Sequence, residues 1–419
     1  MLLNKNTPLS NLFYPVIISL FAIGPFIGFF TRSMLDFEYN NVMVVLCILP
    51  LPFIYLNSFN LKIPLYLKVM ILFMCYTVIS DIFIAEKTID VKYFYSNLVI
   101  GSVFILIIIE NTFVTEKFFK ILFIINHIVL FIAFVVIIIQ QFVNILFFVD
   151  PTCYQYLLSE TYSDTRLPSI YTWVGWISSL GLGFFPILAL TISHHLKNNY
   201  KGIFYLFLMG AIVAFLSKSR YIYVNYLTLF IMIPIYWGLN WGSFFKYLTI
   251  FIIFISALYF GSKVIGLDTD KIINERVLEK NKGGMLAGDA GTRIFAFKVF
   301  NKLYFKNPIV GKGYLHSFSA GSKDYELVRT LQGRSSQIHV GYLSLFYYYG
   351  LIGGLIFLAF LFFITRETFI SAKMTIYWGP FFAILQFLLT NLTGVRFDVF
   401  IMGIVIAMVY HKYYTQNLT

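Results

Sequence analysis

Three arginines and one histidine are the side chains in this chain best suited to chemistry, and each sits where a long apolar run meets a polar one. Arg220 closes Ser217-Lys218-Ser219-Arg220, four residues that separate two apolar segments. Arg293 opens the stretch from Gly291 to Phe305, and Arg396 lies in Thr393-Gly394-Val395-Arg396-Phe397-Asp398. A guanidinium presents a planar fork that matches two phosphate oxygens at once, so arginines at a membrane edge suit a phosphate-bearing ligand. His339 follows the cationic Arg334-Ser335-Ser336-Gln337 and precedes the apolar run from Val340. An imidazole of ordinary pKa near 6.5 at such a rim can take a proton from a hydroxyl. Each has a plainer reading: an arginine that snorkels, an anchor pair at a helix end, a rim ion pair of Arg396 with Asp398, or a hydrogen-bonded rim histidine.

The elements that must position these residues are membrane helices. Of 419 residues, 59% are hydrophobic and 12% charged, with mean hydropathy +0.80, a balance that excludes a soluble fold of this size. Apolar runs predict spans near 9–31, 40–57, 64–85, 94–110, 118–148, 170–194, 202–217, 221–238, 244–262, 340–365, 376–392 and 397–411. The fifth is long enough to tilt or project. The first lacks a small-residue cleavage site and reads as a retained helix. Twelve spans put both termini on one side. Eleven Lys and Arg fall in the short segments of one side against Glu116 and Glu367, whereas the other side's short loops hold seven bases and eight acids. The first side is the cytoplasm by the positive-inside rule.

Residues 263–337 then face outward. They form a polar island with thirteen Lys and Arg against seven Asp and Glu, a cationic surface suited to phosphates, lipid head groups or anionic lipid in general. The chain divides into nine helices over 1–262, a large outward loop over 263–338, and three helices over 339–419. Within the loop, Gly291 to Phe305 suits a short amphipathic helix on the membrane surface. At 100° per residue, Lys298, Asn301 and Lys302 share its polar face, and Arg293 falls with Phe297, Phe300 and Tyr304, the stripe expected to pack inward. Asp289 stands near its start. Lys306-Asn307-Pro308-Ile309-Val310-Gly311-Lys312-Gly313-Tyr314 ends it in a compact turn; the Gly-x-Gly lacks the context of a phosphate loop. Cys47, Cys75 and Cys153 form no framework, and six scattered histidines have no ligand spacing, so neither metal nor cofactor is expected.

Taken together these segments resemble the O-antigen polymerase and O-antigen ligase superfamily. The likeness rests on Ser217-Lys218-Ser219-Arg220, similar to a Ser-Arg turn. It continues with Arg293 followed by Phe305-Lys306-Asn307-Pro308-Ile309-Val310-Gly311-Lys312-Gly313, similar to a Pro-x-x-Gly-x-Gly stretch. It ends with Ile338-His339-Val340-Gly341-Tyr342-Leu343 running into Tyr349-Gly350-Leu351-Ile352-Gly353-Gly354. These motifs cover about residues 215–356. Val340 departs from the pattern, standing where many members carry Asn or another polar residue.

The resemblance implies an all-α polytopic membrane protein of about 12 transmembrane helices with a GT-C-like fold, in a bacterial inner membrane and facing the periplasm. It implies a metal-independent glycosyltransferase that polymerises oligosaccharide repeat units carried on undecaprenyl diphosphate, as in lipopolysaccharide biosynthesis. Arg220 and Arg293, with Arg396 as a further contact, would hold the diphosphate, and His339 would orient or deprotonate the acceptor hydroxyl. Membrane lipid and a chain-length regulator are the expected partners, and nucleic acid is not. A ligase moving the glycan to lipid A core fits the same motifs. A transporter or flippase for the lipid-linked glycan is the reading from another class; it predicts internal repeats and charge at mid-span depth, where Asp81 is the one acid.

Overall fold

The computed structural model describes residues 64–84, 116–151, 154, 158, 167–171, 188–190, 192, 200–217, 219–236, 241–264, 266, 270, 289–313, 338, 340–375 and 377–392. Regular structure among them is helical, with no strand. We number the helices α1 (Leu65–Phe83), α2 (Glu116–Phe142), α3 (Tyr200–Ser217), α4 (Arg220–Tyr236), α5 (Trp241–Val264), α6 (Asp289–Tyr304), α7 (Gly341–Thr375) and α8 (Gly379–Asn391). A single 3-10 turn at Ser169–Tyr171 packs against α2. The expected spans 9–31, 40–57, 94–110 and 397–411 lie outside the described residues, and of 170–194 only short pieces are described.

Three helices are long and apolar enough to cross a bilayer among the described residues: α1, residues Lys120–Phe142 of α2, and α7. The protein is thus a helical, membrane-associated chain. Five helices coincide with apolar runs expected to span: α1 with 64–85, α3 with 202–217, α4 with 221–238, α5 with 244–262 and α8 with 376–392, of which α1 is among the three long and apolar enough to cross. Asp81 lies in the last turn of α1, two residues from its end, not deep within a span.

Polar side chains join the helices where apolar surface alone gives no register. His127 of α2 reaches the Gly202 carbonyl of α3 at 3.0 Å, and Tyr226 of α4 donates to the Phe207 carbonyl of α3 at 2.6 Å. Pro234 lies inside α4 and has no N–H for the carbonyl four residues back, that of Phe230. Tyr247 of α5 supplies the missing donor, its hydroxyl 3.0 Å from that oxygen.

The expected span 340–365 is not one helix. Gly350 has φ 61° and ψ −165°, which divides α7 into a nine-residue half, Gly341–Tyr349, and a long half, Leu351–Thr375. The two halves fold back on each other. A Cβ on Gly354 would lie 2.3 Å from the ring of Phe346, eight residues earlier and about 12 Å away along a straight helix. Tyr342 and Leu358 accordingly line the same groove. The nine-residue half is too short to cross a bilayer. Of the two halves only Leu351–Thr375 is long enough to cross, and Arg366 and Glu367 fall inside it instead of in the loop expected after 365.

A broken helix leaves orphan carbonyls at one end and orphan N–H groups at the other. Here the turn that follows α6 fills the break. Lys312 and Gly313 donate their N–H groups to the carbonyls of Tyr347 and Tyr348, at 3.2 and 2.8 Å. Leu351 and Ile352 donate to the carbonyls of Pro308 and Ile309, at 2.8 and 3.1 Å. Tyr76 of α1 shares its hydroxyl between the carbonyls of Tyr349 and Val310, at 3.1 and 3.2 Å. Each such group left unpaired away from water would cost roughly 1–3 kcal/mol. Gly311 (φ 77°) and Gly350 meet at this lock, where a Cβ on either would lie 2.3 Å from a backbone carbonyl oxygen of the other strand of chain.

Candidate functional site

Arg220 is the first residue of α4, and the tight turn expected before it is present: α3 ends at Ser217 and α4 begins three residues later. Ser217 Oγ donates to the Ala214 carbonyl at 2.9 Å and accepts the Ser219 N–H at 3.3 Å. The Ser219 carbonyl in turn accepts the N–H groups of Ile222 and Tyr223, both at 3.1 Å, which starts the helix. Ser217 and Ser219 are both fully buried. The Arg220 side chain lies outside what is described, and so does that of Arg293; His339 and Arg396 are themselves outside the described residues.

What the described elements establish is which helix ends meet. Asn225, five residues into α4, donates to Thr390 Oγ1 at 3.3 Å, and Gln386 donates to the Asn225 carbonyl at 3.0 Å. Thr390 Oγ1 donates back to the Gln386 carbonyl at 2.6 Å. The end of α8, from which the chain runs on to Arg396, therefore packs against the first turns of α4. Tyr342, the second residue of α7, donates to the Leu388 carbonyl of α8 at 3.2 Å. The start of α7 thus joins the same place. Ser344 Oγ closes on the Ile338 carbonyl at 2.6 Å, so the backbone on both sides of position 339 is anchored, with Ile338 and Val340 buried. Val340 belongs to the apolar core, which accounts for a valine where the resemblance favours a polar residue.

Arg293 is the fifth residue of α6, and its helix packs on α7. The inward stripe is not the one expected. Ala296, Val299 and Leu303 are buried, while Phe297 is 53% exposed and Phe300 and Tyr304, stacked at 4.7 Å, are half-buried. Arg293 lies about 85–90° around the helix from the centre of the buried stripe, on the flank with Phe300. Lys298, Asn301 and Lys302 are exposed as expected, and the Lys298 ammonium sits 5.1 Å from the Phe295 ring centre. The turn after α6 is the compact one its Pro and Gly predict. Gly311 and Gly313 spend their N–H groups on the Asn307 and Tyr348 carbonyls, which removes them as phosphate ligands.

Two features went unread in the sequence. The neutral polar seam of Asn225, Gln386, Thr390 and Asn391 is fully or almost fully buried between α4 and α8, and its signal is polar residues isolated in apolar runs. Asp268-Thr269-Asp270 has the Asp-x-Asp spacing of a divalent-metal site, which the metal-free expectation overlooks. Asp268 is outside the described residues. Asp270 is already engaged: Lys263 Nζ lies 2.7 Å from Oδ2 and the Tyr259 hydroxyl donates to Oδ1 at 2.6 Å. The hydrogen bonds from Lys263 and Tyr259 hold its carboxyl below the ordinary range.

No known protein-family model matches this chain, and no curated protein matches its sequence.

Proposed function

We propose that the chain is a glycosyltransferase of the bacterial cytoplasmic membrane that polymerises undecaprenyl-diphosphate-linked repeat units at the outer face, with Arg220, Arg293 and Arg396 on the diphosphate and His339 on the acceptor hydroxyl. The observation that supports this reading is the meeting of three element ends: the start of α4, the end of α8 and the start of α7. These ends carry or border Arg220, Arg396 and His339, residues far apart in sequence. A leaving diphosphate gathers negative charge in the transition state, and cations fixed in advance stabilise it without reorganisation. The lock at Gly350 adds support, because it binds together two segments on which the family resemblance rests.

A second reading, translocation of the same lipid, draws on the buried seam between α4 and α8, since polar groups inside a span often mark a path. Its members are all neutral; Asn225, Gln386 and Thr390 bond to one another, whereas the side-chain oxygens of Gln386 and Asn391 accept no hydrogen bond among the described residues.

The deciding measurement is in vitro transfer with purified lipid-linked repeat units. Arg220→Ala and Arg293→Ala are expected to abolish polymer while the protein stays in the membrane, and Arg→Lys to restore little, because the bidentate geometry is lost. His339→Ala is expected to slow transfer by about 10²–10⁴-fold, and His316→Ala only slightly. Absence of any bond formation, with flipping of the donor across vesicles instead, decides for translocation. Bare core with accumulated lipid-linked polymer in a deletion strain decides for ligation.

A further inference from the structure

One face of the long half of α7 is open to a ligand, along a groove that begins at Tyr342 and Leu388, beside the element ends described above, and runs away from them to Phe369. Leu358, Leu361, Phe362, Thr365, Arg366 and Phe369 recur at helical spacing, so they share a single side of the helix. With Phe381 and Leu388 of α8 they line a groove of about 410 Å³, within the range of roughly 300–1,000 Å³ usual for small-molecule sites. Its walls are apolar apart from Tyr342, which also lines it, Thr365 and Arg366. That guanidinium makes no ion pair or hydrogen bond to protein among the described residues, although five N–H donors point from it.

The level of Arg366 is set by its neighbours. Lys373 lies one and a half to two turns further on, its ammonium 4.7 Å from the Phe369 ring centre, and Phe369 packs against Trp378 and Phe381 at 6.0 and 5.5 Å. Tyr377 and Trp378 form the short connection to α8, the residue types that mark a membrane–water interface. Arg366 stands nine residues, roughly 13 Å, short of the end of α7. A snorkelling stem would run from there along the groove and carry the guanidinium toward the phosphates of that leaflet.

We propose that this groove binds one anionic diacyl phospholipid from the leaflet at the Tyr377–Trp378 turn, with the phosphate on Arg366 and an acyl chain along Leu358, Leu361 and Phe362. An unpartnered fork at one end of an apolar trough is complementary to an amphiphile with an anionic head and a hydrocarbon tail. A phospholipid, and not the polyisoprenyl donor, is the occupant because the charge asymmetry puts this end of α7 on the cytoplasmic side, opposite the proposed diphosphate contacts. The choice of occupant thus rests on the proposed function, whereas the groove and its arginine do not.

Native mass spectrometry of the full chain, stripped of lipid and given back phosphatidylglycerol or phosphatidylethanolamine of identical acyl chains, tests it. One phosphatidylglycerol is expected to be held at least about tenfold more tightly than phosphatidylethanolamine, whose phosphate can also meet Arg366 but whose ammonium offsets the attraction. Arg366→Gln, which breaks no hydrogen bond or ion pair among the described residues, is expected to erase that preference. Leu358→Trp, which fills the trough and leaves the charge, is expected to weaken both lipids. Equal retention of the two lipids by the wild type, or an Arg366→Gln variant that keeps the preference, overturns the site. Displacement of phosphatidylglycerol by equimolar undecaprenyl phosphate overturns the assigned occupant.

Discussion

At the scale of single residues, the two glycines of the lock carry more of this architecture than any charged side chain. Gly350, at φ 61° and ψ −165°, lies in a region almost confined to glycine that costs a residue with a Cβ about 1–3 kcal/mol, and an added Cβ would also press to 2.3 Å on the Ile309 carbonyl oxygen. Backbone cannot swing aside as a flexible side chain can. Gly350→Ala is therefore expected to lower the melting temperature in detergent by several degrees, followed by fluorescence-detected size exclusion after heating. Gly261→Ala is the contrast: within α5, with nothing within 4 Å of the added methyl, it is expected to be neutral or stabilising by about 0.5–1 kcal/mol. Equal losses from both would show that the lock does not set stability. The sequence marked Gly311 as a turn residue from its Pro and Gly neighbours, and that reading matches. Gly350 was hidden because Tyr349-Gly350-Leu351 reads as apolar, and hydropathy is blind to φ. Arg293 was assigned to the stripe of large aromatics. The buried stripe is instead Ala296, Val299 and Leu303, an i, i+3, i+7 aliphatic row on the face that packs on α7.

At the scale of elements, apolar run length located most helices well, since every backbone polar group in a bilayer must be satisfied within its own segment. Run length failed where that rule was met from outside the segment, as in α7, whose orphan groups are paired by a distant turn. The same logic governs α4 and α5. Pro234 deprives the Phe230 carbonyl of its intrahelical donor, and Tyr247 replaces it. Tyr247→Phe is expected to destabilise the protein by about 1–3 kcal/mol in the wild-type background. Pro234→Ala restores an N–H at the position four residues on, so in that background the Tyr247→Phe loss should shrink to within about 0.5 kcal/mol. A thermal double-mutant cycle reads the difference directly. A Tyr247→Phe cost that is the same in both backgrounds would mean the hydroxyl serves packing and not the proline's carbonyl.

At the scale of the whole molecule, the lock constrains topology in a way that charge counting alone does not. A helix that folds back on itself at Gly350 leaves the number of crossings unchanged, because its nine-residue half enters and returns on one side. The turn Pro308–Gly313 is bonded to that apex, so it must lie on the same side as Gly350, while Tyr377 and Trp378 lie beyond the crossing on the other. On the proposed topology, with its excess of Lys and Arg near Lys197, Lys201 and Lys373, the latter side would be cytoplasmic. Alkaline phosphatase fused after Gly313 is therefore expected to be active in cells, and phosphatase fused after Lys201 or Trp378 inactive. The pairing is what gives the measurement its force. Activity at both Gly313 and Trp378 would mean that Leu351–Thr375 does not cross, and the lipid groove would then face water. A reversal of the whole pattern, with only Lys201 and Trp378 active, would put the island in the cytoplasm and remove Arg220, Arg293 and His339 from any chemistry at the outer face.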